Sequence, residues 1–274
     1  MLALAPGEVH LWLAHYDRID DARELDDCLR LLSESERAQM NRFVFAKDRR
    51  RHLVTRALVR RTLSRYLPGA AAEWQFTSNE YGRPELAAVH ANAASLSFNV
   101  SHTHSLIALA ITAGRAVGVD VENVVDRDVP LEVAHSYFSA REAGALARLR
   151  PAEQPLRFFE YWTLKESYIK ARGLGLSIPL EKFSFSFPAE HEVEFATHPE
   201  LGDDGDRWFF WQLQPSDDYL LSICVEKAGE ATPRLVLQPE HPPAMPGGGA
   251  LLRRASRGAR PATPRHGVDS AGTL

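Results

Sequence analysis

Apolar and polar residues alternate from Glu8 to His15, with Val9, Leu11 and Leu13 on one side, and this period of two predicts a first strand. A helical spacing follows from Leu25 to Leu32, and Ser33-Glu-Ser-Glu36 offers a capping box for another helix. Lys47 to Tyr66 reads as a long helix packing through Leu53, Ala57, Leu58 and Leu63, stopped by Pro68-Gly69. After a turn at Asn79-Glu-Tyr-Gly-Arg-Pro84 come strands at Leu96–Val100 and Leu106–Thr112, and Gly114 begins the turn into a third. In that third strand Val117, Val119 and Val121 alternate with Gly118, Asp120 and Glu122. Downstream, a helix over Phe158–Arg172 ends at Gly173 and Gly175, and strands are expected at Phe183–Phe187, Arg207–Leu213 and Tyr219–Glu226.

A helix, then a strand, a polar turn and an apolar strand thus occur twice, as Leu96-Ser-Phe-Asn-Val with Ser105-Leu-Ile-Ala-Leu, and as Trp208-Phe-Phe-Trp-Gln-Leu with Tyr219-Leu-Leu-Ser-Ile. The order predicts an α+β fold of two similar halves, residues 1–113 and 114–238, with a cleft between them. From 239 to 274 prolines, a glycine triplet and arginines replace large apolar residues, and a disordered tail is expected.

Composition narrows the function classes. The chain has 274 residues, 45% hydrophobic and 25% charged, with a net charge of −4, which argues against a general nucleic-acid binder. The basic helix (Arg49, Arg50, Arg51, His52, Arg56, Arg60, Arg61, Arg65) is the competing signal, but its charges need not form one stripe. Pro6, Gly7, Glu8 and His10 interrupt the apolar residues of the N-terminus, so neither a signal peptide nor a membrane span is expected and the cytoplasm is the expected location. Cys28 and Cys224 stand far apart and suggest neither a zinc site nor a disulfide framework.

Two segments carry the chemistry. On the strand, Asp120 and Glu122 project from one face; on the later helix, Trp162, Glu166 and Lys170 share a stripe at i, i+4 and i+8. A third carboxylate beside the first two would complete an oxygen-rich site for a hard divalent cation such as Mg²⁺. Each signal has a plainer reading: an exposed strand face for the acids, and a surface pair with Lys170 for Glu166. Phe98-Asn-Val-Ser-His102 places a hydroxyl and an imidazole at a strand mouth. A hydrolase is set aside, since neighbours on a strand point oppositely and there is no Gly-x-Ser-x-Gly elbow. An ATP-dependent phosphotransferase is set aside for want of a Gly-x-x-x-x-Gly-Lys-[Ser/Thr] loop.

In order and spacing, Gly82-Arg-Pro84, Phe98-Asn-Val-Ser-His102, Gly118-Val-Asp-Val-Glu122, Tyr137-Phe-Ser-x-x-Glu142 and Trp162-Thr-Leu-Lys-Glu-Ser-Tyr-Ile-Lys170 resemble the 4′-phosphopantetheinyl transferases. The likeness spans roughly 8 to 228 and is to the long, surfactin-synthetase-activating type rather than the short, trimeric acyl-carrier-protein synthases. It implies transfer of the phosphopantetheine arm of coenzyme A to a serine of an apo acyl or peptidyl carrier protein, by a monomer whose site lies between its two halves. It also implies a Mg²⁺ (or Mn²⁺) site at Asp120, Glu122 and Glu166. Lys170 and Asp120 join Glu166 as catalytic residues, with Glu166 taking the serine proton directly or through a water on the metal. Coenzyme A contacts are carried over to Arg51, Arg83, Ser101, His102, Lys165 and Lys170. Glu142 reads instead as a capping-box partner of Ser139, and Trp162 as packing. A coenzyme A or carrier-protein binding module without catalysis is the alternative, and the intact acidic set argues against it.

Overall fold

The computed structural model describes residues 1–90, 95–125, 129, 131–229, 231–239, 251–258 and 263–264. Its first half runs β1 (Glu8–His15), α1 (Ala22–Leu31), α2 (Glu34–Asn41), α3 (Ala46–Tyr66), the small β2–β3 hairpin (Phe76–Ser78, Pro84–Leu86), β4 (Ser97–His102) and β5 (Leu106–Thr112). Its second runs β6 (Val117–Asn123), α4 (Leu131–Tyr137), α5 (Ala140–Ala147), α6 (Gln154–Arg172), the β7–β8 hairpin (Phe183–Ser186, Glu194–Thr197), β9 (Trp208–Ser216) and β10 (Tyr219–Glu226). Three short strands follow: β11 (Arg234–Leu237), β12 (Leu251–Ala255) and β13 (Thr263–Pro264).

The caps expected from sequence start their helices. Ser33 Oγ accepts from the Glu36 amide at 3.3 Å while Glu36 answers to the Ser33 amide at 2.9 Å, and Ser139 with Glu142 repeats the motif at α5. Helix α6 stops where Gly173 takes a left-handed φ of 68°, the turn that glycine enters without strain.

In each half the first strand pairs antiparallel with the last, and the last with the middle one: β1-β5-β4 and β6-β10-β9. The repeat read from sequence is therefore a repeat of topology. The two sheets face each other through Leu11, Ala108, Val119, Trp211 and Ile223, all buried in one cluster. On the outer faces α3 packs Val59 and Leu63 against Trp12 and Leu109 of the first sheet. Helix α6 packs Leu164 and Tyr168 against Leu220 and Cys224 of the second. Burying both faces of each sheet explains why β1 and β5 are buried along their whole length.

Helix α6 crosses β6 at unusually close range. A Cβ built on Gly118 would lie 2.0 Å from the Ser167 carbonyl oxygen and 2.4 Å from the Ala171 nitrogen. Only glycine admits this approach, and it sets the height of the helix over the strand that carries Asp120.

The C-terminal segment corrects the expectation of a structureless tail where it is described. Within the expected tail, β12 lies antiparallel to β9 in the second half's sheet and β13 lies parallel to β11. Strand β11 itself precedes the tail, within the span expected to form the second half, yet it pairs parallel with β1 in the first half's sheet. Arg254 and Ala255 are buried, and the aliphatic and hydrogen-bonding surface they cover offsets the ordering of this segment. The rest of the expected tail, 240–250, 259–262 and 265–274, lies outside the described residues.

Candidate functional site

Strands β4 and β6 form the edges where the two sheets meet, and they are joined by side chains instead of a backbone ladder. At a period of two along β4 and just beyond it, Asn99 Oδ1 accepts from the Val119 amide at 2.9 Å. Ser101 Oγ accepts from Val121 at 3.4 Å, and Thr103 Oγ1 from Asn123 at 3.1 Å. Three edge amides that would otherwise lie unpaired are thereby satisfied across the seam. Ser101 is the middle rung and so reaches the acidic strand.

There Lys170 Nζ donates to Asp120 Oδ1 at 2.6 Å and to Ser101 Oγ at 2.9 Å, and Ser101 in turn donates to Asp120 Oδ1 at 3.1 Å. Asp120 is 4% exposed, and its second oxygen, Oδ2, is buried without a hydrogen-bond partner. Glu166, one helical turn before Lys170, is largely enclosed. Burial above all, then the charges of Asp120 and Glu122, push its carboxyl up to about 7, against an opposing pull from Lys170. The period-of-two reading thus holds: the acids lie on the α6 face of β6, and the valines beside them lie in the inter-sheet core.

His102, next to Ser101 but on the opposite face of β4, is solvent-exposed at the rim. Its pKa is lowered, first by the protein crowded around its ring and then by the guanidinium of Arg51. Arg51 itself pairs with Asp48 at 3.0 Å. A cleft of about 270 Å³ opens beside this cluster, walled by Tyr81, Arg83, Asn99, Glu166 and Lys170 among others. A larger one, about 670 Å³, lies among Arg141, Glu194, Trp208 and Lys227 and includes none of the acidic motif residues, so size does not pick out the site.

One sequence-predicted contact is placed otherwise, and a second, Arg83, walls the cleft and also carries a structural role. Lys165 is fully buried: its ammonium donates to Leu180 O and Phe183 O at 2.8 Å each and pairs with Glu142 at 2.8 Å. Those three acceptors use all three of its protons, so it has none left for a phosphate. Arg83 turns its guanidinium to the C-terminal end of α6, where Nη1 donates to Lys170 O at 3.2 Å and Ala171 O at 3.1 Å. That matches the negative end of the helix dipole and fixes the segment bearing Lys170. Glu142 serves structure, as its capping pattern suggests, and also accepts from the Phe185 amide at 2.9 Å. Trp162 stacks on Phe158 at 5.9 Å.

The basic helix also resolves into fixed roles. Arg60 is buried, donating to Glu36 at 2.8 Å and to Trp74 O at 2.8 Å; Arg49 holds Phe43 O, and Arg65 lies over the Trp12 ring. Sequence reasoning missed Asn99 and Thr103, whose period-two spacing around Ser101 was the available signal. It also passed over Asn79, which accepts from the Arg83 amide at 2.9 Å and donates to Gly173 O at 2.7 Å, tying the Gly-Arg-Pro turn to the end of α6.

The donor set suits a hard divalent cation: carboxylate oxygens only, one of them buried and unpartnered, with the Glu166 carboxyl pushed up by burial and by its two acidic neighbours more than Lys170 draws it down. Among the described residues no three such side chains are drawn into a metal-ligand cluster, and Lys170 is the cation that pairs with Asp120.

Residues 116–224 match the sequence profile of the 4′-phosphopantetheinyl transferase superfamily, and residues 20–114 that of the 4′-phosphopantetheinyl transferase N-terminal region. The 4′-phosphopantetheinyl transferase HetI of Nostoc sp. is 31% identical over 228 residues, covering 83% of this chain and 92% of that protein. The 4′-phosphopantetheinyl transferase Sfp of Bacillus subtilis is 28% identical over 213 residues, covering 77% and 89%.

Proposed function

The chain belongs to the 4′-phosphopantetheinyl transferase superfamily, among its Sfp-like members, and on that premise we propose that it moves the phosphopantetheine arm of coenzyme A to a serine of an apo acyl or peptidyl carrier protein. The observation that carries this reading is the convergence of Asp120, Ser101 and Lys170 with Glu166 at the seam between the halves. Such a set can hold a cation and a polyanion together.

In this reading Asp120, Glu122 and Glu166 would hold Mg²⁺, or Mn²⁺ in its place. When bound, the cation neutralises the pyrophosphate of coenzyme A and offsets charge building on the departing phosphate. Lys170, now shared between Asp120 and Ser101, is 28% exposed on its side chain and turns to a phosphate oxygen as the polyanion enters. Ser101 stands beside Lys170, while His102 and Arg51, close enough to each other for the guanidinium to lower the imidazole pKa, would meet another phosphate of the coenzyme; a neutral His102 can still donate one ring N–H.

The carrier serine oxygen attacks the phosphorus that bears the pantetheine arm. The bond from that phosphorus to the bridging oxygen breaks, and adenosine 3′,5′-bisphosphate leaves with the electron pair. Glu166, on the wall of the cleft one helical turn before Lys170, is the group that would take the serine proton, directly or through a water.

Intact-mass measurement of several apo carrier proteins incubated with enzyme and coenzyme A, with and without chelator, tests the proposal. A phosphopantetheine adduct that requires the divalent cation and drops at least a hundredfold in rate in Glu166→Ala is expected. No adduct on any carrier would leave a binding module; an adduct at full rate in Glu166→Ala would remove that residue from the chemistry.

A further inference from the structure

Arg254 lies on β12, outside both family-matched segments, yet it is buried and stands in one cross-strand row with Gln212, Ser222 and Asp120, two strands lying between it and β6. Its Nη1 donates to Glu160 Oε1 of α6 at 2.7 Å and to Gln212 Oε1 of β9 at 3.1 Å. An arginine can only donate, so this contact decides which way the Gln212 amide faces. With Oε1 toward Arg254, Gln212 Nε2 donates to Glu160 O at 3.0 Å and to Ser222 Oγ at 3.2 Å.

The direction then propagates. Thr163 spends its own proton on Phe159 O at 2.9 Å, so the 2.8 Å contact between Ser222 and Thr163 must run from Ser222 to Thr163. The chain Arg254, Gln212, Ser222, Thr163 therefore has one sense throughout. Its far end abuts both acidic elements. Ser222 is the cross-strand partner of Asp120, and Thr163 stands one turn before Glu166 on α6.

We propose that Arg254 is a positioning residue for the divalent-cation site: through Gln212, Ser222 and Thr163 it sets the distance between Asp120 on β6 and Glu166 on α6. A reversed Gln212 amide would set its oxygen against the Glu160 carbonyl, and α6 would rise or turn to relieve the repulsion. Arg253 is the natural control. It reaches the same Glu160 Oε1 at 2.8 Å but bonds Gln214 at 2.7 Å in place of Gln212, and so stands outside the chain.

This inference rests on the metal reading above, and the experiment separates the two. Mn²⁺ binding to the full-length protein in the presence of coenzyme A is followed by electron paramagnetic resonance, alongside the Mg²⁺ dependence of carrier modification. In Arg254→Met, Mn²⁺ affinity and the Mg²⁺ concentration for half-maximal rate are each expected to worsen about tenfold, with the KM for coenzyme A within twofold of wild type. Arg253→Met is expected to stay within twofold on all three. Arg254→Lys keeps the charge at Glu160 without the fork that spans two acceptors, and falls between; it decides the matter if the methionine variant does not fold. Unchanged Mn²⁺ affinity in folded Arg254 variants, or an equal loss in Arg253→Met, overturns the positioning role. Wild-type protein that binds no Mn²⁺ would instead bring down the metal reading itself.

Discussion

One step along α6 turns a side chain by about 100°, and that step sends Lys165 inward while Glu166 stays at the cleft. Adjacent letters in a motif say nothing of this rotation, which is why Lys165 reads as a phosphate contact in the sequence and sits between Phe138 and Phe183 in the structure. Removing its charge strands a buried Glu142, so Lys165→Met is expected to cost about 3–5 kcal/mol in urea unfolding. The KM for coenzyme A in the folded fraction should hardly move; a tenfold rise would restore the phosphate role. Glu166 yields a pH prediction. Burial and two neighbouring acids push its carboxyl up to about 7 in the folded chain, from the ordinary 4.5 of the unfolded one. Between those values the folded chain holds a proton that the unfolded chain has released, so metal-free stability declines as pH rises through the window. Unfolding in chelator across that range should show the decline, and Glu166→Gln should abolish it. An unaltered slope in the variant would assign it to another group.

At the scale of elements, periodicity made most of the site legible. The alternation in Gly118–Glu122 gave the face of each residue, and the spacing of Trp162, Glu166 and Lys170 gave the helical stripe. What it could not give is the distance between them. That distance depends on Gly118, whose missing side chain lets α6 settle on β6, and on the Asn99, Ser101 and Thr103 rungs, whose own spacing of two does not say which strand they bond. Gly118→Ala is accordingly expected to lose about 3 kcal/mol or more, since the obstacle is backbone that cannot swing aside. Its kcat/KM should fall at least tenfold, as Glu166 is lifted from Asp120. A variant with wild-type melting temperature and activity would mean that the helix has more freedom than the close approach allows.

For the whole molecule, the doubled element order announced two α+β halves, because strands and helices long enough to repeat are also long enough to show their period. The additions at the C-terminus escaped notice for the opposite reason: Arg234-Leu-Val-Leu237 and Leu251-Leu-Arg-Arg-Ala255 are too short to show one, and Arg254 is buried by its partners and not by its hydropathy. The parallel pairing of β11 with β1 carries a consequence for how the chain reaches this state. Glu8 meets Arg234 across 226 residues, so the first strand made lacks one neighbour until nearly the last has been made. Contacts of such separation form late, after the local hairpins of each half. Leu235, fully buried on β11, should therefore report on the end of the reaction. Leu235→Ala is expected to destabilise by about 2–5 kcal/mol, mainly by faster unfolding with refolding hardly slowed. Stopped-flow chevrons in which the refolding arm carries the loss would instead place the joining of the two chain ends among the earliest events of folding.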